Sequence, residues 1–187
     1  MAKLPVMKPW IKTLEQARRY VLETGLVGIF GSVKHPELPS LWEATDFPLK
    51  QPGEKGHGAR VDAVWVWKNQ LPQQWPEEIF YGKIAGGLAV LVSMTYVRET
   101  LYPEAHVPVR ECSALARRIF EKIRHEPMTT PQLRKELEMT LPPLKGKFEK
   151  ALKELQITLN ITRLNDPEAS GDTWVPFGEQ YAEFDDE

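Results

Sequence analysis

Lys145, Lys147, Lys150 and Lys153 set four ammonium groups along nine residues. Such spacing suits an anionic polymer, because phosphate contacts supply affinity and position while polar tips read base edges. Glu149 and Glu154 lie among them and are expected to compete as ion-pair partners for Lys153 and Lys150. Arg163 follows as a candidate fifth cation, and Arg117, Arg118, Arg134 and Lys135 precede as candidates for backbone phosphates. A lysine-rich face is equally what an ordinary solvated helix carries. From Ser113 to Leu155 ten Lys/Arg face six Asp/Glu, a surplus of four, although the whole chain has a net charge of −2. The acids gather at the end, where Glu179, Glu183, Asp185, Asp186 and Glu187 follow Phe177 without a base.

Other chemistries lack their patterns. Gly53-Glu54-Lys55-Gly56-His57-Gly58 has the glycines of a phosphate loop but neither its spacing nor its Gly-Lys-Ser/Thr ending, so it reads as a flexible loop ahead of a helix. His35, His57, His106 and His125 are scattered and Cys112 is alone, so no metal or cofactor is expected. Neither a Gly-x-Ser-x-Gly elbow nor a Cys/His nucleophile signature is present. Trp42, Trp65 and Trp67 have the flat faces on which unpaired bases stack. Core packing is the commoner use of tryptophan, and Trp67 is left open because it falls off a Val61–Trp65 helical stripe.

The elements that must position the lysines are legible. Ser113 is a plausible N-cap, with Leu115, Ile119, Phe120 and Ile123 on one helical face. Thr129 or Thr130 caps a second helix with Pro131 in its first turn and Leu133 and Leu137 inward. A third helix opens at Pro142–Pro143 with the apolar stripe Leu144, Phe148, Ala151, Leu152 and Leu155, which turns the lysines outward. Ile157, Leu159 and Ile161 then alternate with polar residues, which predicts a strand. Residues 165–172 form a turn, and Thr173 to Phe177 return as a second strand. Three helices and a hairpin in this order predict a winged helix.

The first half repeats that order more loosely. Thr13 caps a helix with core positions Leu14, Ala17, Val21 and Leu22, ending at Gly25. An apolar stretch Leu26–Phe30, a short helix at Leu41–Ala44, and a segment Arg60–Asn69 ambiguous between helix and strand follow. Ile79–Ile84 and Leu88–Ser93 flank Ala85-Gly86-Gly87 as a hairpin. Pro103 and Pro108 mark a boundary. The expected organisation is an N-terminal winged-helix-like domain over 1–108, a C-terminal winged-helix domain over 109–177, and an acidic tail over 178–187. The fold class is α+β, mostly helical, with β-hairpin wings.

With 187 residues, 42% hydrophobic and 27% charged, the composition is that of a globular protein. No apolar run reaches the roughly 20 residues that span a bilayer, and Met1 to Trp10 lacks a signal-peptide pattern. A single cysteine cannot form an intramolecular disulfide. A cytoplasmic location without membrane contact is expected.

Thr13-Leu14-Glu15-Gln16-Ala17-Arg18-Arg19, then Gly25-Leu26-Val27-Gly28-Ile29-Phe30, then Leu38-Pro39-Ser40-Leu41-Trp42, resembles the opening of the AlkZ-like winged-helix DNA glycosylases. The resemblance covers about the first 45 residues best. It implies tandem winged helices and a relation to proteins that remove alkylated bases and unhook interstrand crosslinks. It also implies a Gln-x-Gln or Gln-x-Asp pair that positions the attacking water. Here those positions hold Gly28 and Phe30, neither of which can orient a water or accept a proton, so the family's catalytic residues do not carry over. The chain is shorter than a full-length member and is expected to lack one of its domains.

The reading is a noncatalytic protein that binds double-stranded DNA. One alternative is a divergent glycosylase using Glu43 or Asp46. Another is a protein-interaction module, in which the acidic tail covers the basic helix.

Overall fold

The computed structural model describes residues 9–166, 168 and 172–184. It is α+β and divides into two compact units, Met1–Tyr81 with Ala89–Tyr96, and Gly82–Leu88 with Val97–Glu187. Residues 82–88 and 97–108, read from sequence as N-terminal, group with the second unit.

In the first unit, helix α1 (Leu14–Thr24) starts in a reciprocal cap between Thr13 and Gln16 and stops at Gly25, whose φ of 84° favours glycine. Strand β1 (Leu26–Gly28), helix α2 (Leu41–Ala44), helix α3 (Ala59–Gln74), and strands β2 (Ile79–Lys83) and β3 (Ala89–Ser93) follow. The sheet runs β1-β3-β2, with Gly28 opposite Val90. Ala17, Val21, Val27, Leu41, Val64 and Leu71 are among the side chains that form the core. Leu22, expected inside, is exposed. The ambiguous segment is helical. Its buried stripe is Val64, Trp67, Lys68 and Leu71, so Trp67, left open by the sequence, is in the core, and Trp65, expected inside, lies half outside.

A broken helical run follows, with α4 (Met94–Tyr96), a wider turn at Val97–Leu101, and α5 (Tyr102–Ala105). The second unit then has helix α6 (Ala114–Ile123), strand β4 (Met128–Thr129), helix α7 (Thr130–Glu136), helix α8 (Pro142–Ile157), and strands β5 (Ile161–Arg163) and β6 (Thr173–Pro176). Its sheet runs β4-β6-β5, both pairings antiparallel. Each unit thus has the order helix, strand, helix, helix, strand, strand, with the last strand at the centre of its sheet.

The local causes are mostly those read from sequence. Ser113 accepts from the Ala116 N–H, and Thr129 and Gln132 cap α7 reciprocally. Pro142 and Pro143 occupy the first turn of α8, where their missing donors cost nothing. The core packs Ala116, Ile119 and Ile123 of α6 and Leu133 of α7 against Phe148, Ala151, Leu152 and Leu155 of α8. The alternation at Ile157–Ile161 is misleading. Helix α8 continues to Ile157, Leu159 turns the chain at φ 53° while fully buried, and the strand begins only at Ile161. A short helix α9 (Phe177–Gln180) opens the acidic segment, with Phe177 and Tyr181 buried. No helix among the described residues is long and apolar enough to cross a membrane.

Phe148 fills the centre of the second core with no solvent exposure. Phe148→Ala is expected to lower unfolding stability by about 3–5 kcal/mol, while Lys150→Ala changes it by less than about 0.5 kcal/mol. Urea unfolding monitored by circular dichroism checks both.

Candidate nucleic-acid interface

Burial of one side of α8 fixes the other. At about 100° per residue, Lys147, Lys150 and Lys153 fall in a sector about 120° wide, opposite the Phe148–Leu155 stripe. Gly146 lies in the same sector, and nothing stands within 4 Å of where its Cβ would be, so the helix is open at that point. All four lysines are exposed, Lys145 standing to one side of the others near the helix start. None has a carboxylate partner among the described residues.

The two acids expected to compete for them bind elsewhere. Glu149 pairs with Arg134 of α7, whose guanidinium also lies 5.5 Å from the Phe148 ring centroid. Glu154 accepts the Ser113 N–H at 2.8 Å and the Ser113 hydroxyl at 2.6 Å, holding α8 to the start of α6. Arg134, a candidate phosphate contact, is thus engaged by Glu149. Arg163 is likewise engaged, its Nε 2.9 Å from the Asp172 carboxylate. Lys135 is exposed on α7.

Lys83 is the cation that sequence reasoning missed. It is half-buried in the hairpin segment 82–88, and burial pushes its ammonium pKa down, with Asp172 countering and Lys153 adding to the fall. In the same hairpin the Lys153 side chain lies against Gly87, where a Cβ would stand 2.9 Å from Lys153 Cδ. Lys83 is seventy residues from Lys153, so no local signal joins them.

The acidic end meets a different partner. Glu183 accepts from Arg98 Nε at 2.7 Å and Nη2 at 2.8 Å. Asp185, Asp186 and Glu187 lie outside the described residues, as does half of the turn expected at 165–172.

The positions of the catalytic pair lie in the first unit. Gly28 is buried in β1, and its N–H donates to the Pro39 carbonyl at 2.8 Å. A Cβ there would stand 3.1 Å from the Phe30 carbonyl oxygen and 3.4 Å from Leu38 Cδ2, so a side chain is accepted only if these neighbours give by a few tenths of an ångström. Phe30 is half-buried, its ring edge-on to Trp65 at 6.0 Å. Of the two candidate acids, Glu43 lies beside this stretch. Its Oε1 is 3.2 Å from where a Cβ on Gly31 would be, and Ser40 Oγ donates to its Oε2 at 2.7 Å. Glu43 also helps desolvation raise the pKa of Tyr20. Asp46 instead pairs with Lys12 at 3.1 Å. No group of three or more His, Cys, Asp or Glu able to hold a metal occurs among the described residues.

A family model described as "AlkZ related" matches residues 11–171, nearly the whole of both units. The chain belongs to the AlkZ-related family. Membership places it among relatives of a DNA-repair glycosylase. Neither a curated protein nor a solved structure matches it.

In this AlkZ-related chain the crowding at Gly28 has a measurable consequence. Gly28→Gln is expected to destabilise by about 1–3 kcal/mol through overpacking, read as a lower urea midpoint. An unchanged midpoint means that the strand yields to a side chain.

Proposed function

We propose that the chain is a noncatalytic protein that binds double-stranded DNA through tandem winged helices, with α8 as the helix that meets the duplex. The observation that carries this reading is the state of the α8 lysines. Lys147, Lys150 and Lys153 share an exposed sector, and the neighbouring carboxylates are bound to Arg134 and Ser113 instead. Lys145 and Lys135, both exposed, serve as further phosphate contacts in this reading. Arg134 and Arg163, engaged by Glu149 and Asp172, act as braces in this reading. The helix and strand order of each unit supports a winged-helix reading, in which the second and third strands form the wing and the third helix enters the major groove. Lack of catalysis is supported by Gly28 and Phe30, which offer no polar side chain at the family's paired positions. The net charge of −2 limits non-specific attraction and places the weight on the local patch.

Three phosphates neutralised by Lys147, Lys150 and Lys153 predict a slope of about −2.7 for log affinity against log salt, at about −0.9 per contact. The variant carrying Lys147→Ala, Lys150→Ala and Lys153→Ala is expected to lose most of that slope. Fluorescence anisotropy with a labelled duplex measures it. Equal affinity of the parent and variant chains across the salt series contradicts the reading.

One observation favours a second reading, a divergent glycosylase. The Glu43 carboxylate stands beside the Gly28–Phe30 stretch with a hydroxyl donor and no cation partner among the described residues. On that reading, incubation with alkylated or crosslinked DNA releases base, and Glu43→Gln abolishes the release. No release above background ends it.

A further inference from the structure

We infer that the cavity beside the start of α3 binds an aromatic base bearing a phosphate, that is, a single nucleotide. The cavity measures about 310 Å³, the small end of ligand pockets and too little for an extended chain of bases. Trp42, Leu49 and Val61 form its apolar side, and Lys50, His57 and Arg60 its basic side. No Asp or Glu lines it.

The two sides together define the ligand. Leu49 is 53% exposed, an apolar side chain left largely in water. Trp42 is half-buried, with the Arg60 guanidinium 5.4 Å from its ring centroid, and Arg60 Nε donates to the Phe47 carbonyl at 2.9 Å. Lys50 Nζ donates to the Gly56 carbonyl and so holds the glycine loop at the cavity edge. Neither Lys50 nor Arg60 pairs with a carboxylate among the described residues. A wholly apolar ligand leaves these two cations without a counter-charge. Inorganic phosphate leaves the Trp42–Leu49–Val61 side in water. A flat aromatic group carrying a phosphate answers both, by stacking or edge contact on the ring and by charge-assisted hydrogen bonds to the cations. The glycine loop lacks the pattern of a nucleotide-triphosphate cradle, which fits a monophosphate.

The nucleotide has two possible sources, a free mononucleotide or an unpaired nucleotide of a DNA strand. Neither depends on the α8 lysines. The test titrates the full chain with dAMP, deoxyadenosine and inorganic phosphate by calorimetry. It also compares a perfect duplex with one carrying a single-nucleotide bulge. Binding of dAMP at least about tenfold tighter than either fragment is expected, with about tenfold weakening in Trp42→Ala, the effect of losing one stacking contact. Lys50→Gln, at an exposed position whose loss spares the core, is expected to weaken dAMP and leave deoxyadenosine unchanged. A bulge preference lost in both variants assigns the site to DNA, and dAMP binding without bulge preference assigns it to free nucleotide. The Lys147, Lys150 and Lys153 alanine variant retains dAMP binding in either case, which separates this site from the α8 reading. If neither dAMP nor the bulged duplex binds differently in Trp42→Ala and Lys50→Gln than in the parent chain, the inference is wrong.

Discussion

Phe148, Ala151, Leu152 and Leu155 bury one side of α8 against α6 and α7, and every statement about charge in the second unit depends on that burial. Removing these apolar surfaces from water contributes about 25 cal/mol per Å², far more than exposed ion pairs supply. The helix therefore has one rotational setting. Lys147, Lys150 and Lys153 face outward because their opposites cannot. The polar contacts refine that setting without deciding it. Glu154 ties α8 to the Ser113 cap, and Glu149 ties it to Arg134, so the two acids act between elements and leave the lysines of their own helix alone.

The two units share one wiring and differ in what their third helix exposes. Helices α3 and α8 are each 16 residues long and occupy the same place in the order. On α8 the open side is cationic. On α3 it carries Trp65 and Val66, each about half exposed, while Lys68 is buried with its ammonium 4.5 Å from the Trp65 ring centroid. The first unit offers aromatic and apolar surface beside a few fixed cations, and the second offers charge.

The second unit was readable from sequence because its signals agree. Caps at Ser113 and Thr129, prolines at 142 and 143 and a clean 3.6-residue stripe all point to the same helices. Strand β5 was overextended because Ile157 and Leu159 are apolar for a different reason. Both belong to the helix end and its turn, and Leu159 is buried in a left-handed conformation that alternation cannot reveal. Within the site, the lysine face was legible and its ion pairs were not. Spacing along a helix suggests partners three or four residues away, whereas Glu149, Glu154 and Arg163 all found partners on other elements. Asp172 was the one such partner within reach of inference, since the β5–β6 hairpin sets Arg163 opposite Trp174 and brings Asp172 near. Lys83 had no comparable signal. In the first unit, Val61 to Trp67 fits either period, and the helix was settled by the burial of Val64, Trp67 and Leu71 together.

The most direct test of the central claim is the map of amide resonances that move when isotope-labelled protein is titrated with a short DNA duplex at low salt. If the outward side of α8 meets the phosphates, the largest shifts fall on residues 145–154 and fade as salt is raised. Shifts confined to other elements, with 145–154 unmoved, would contradict the account.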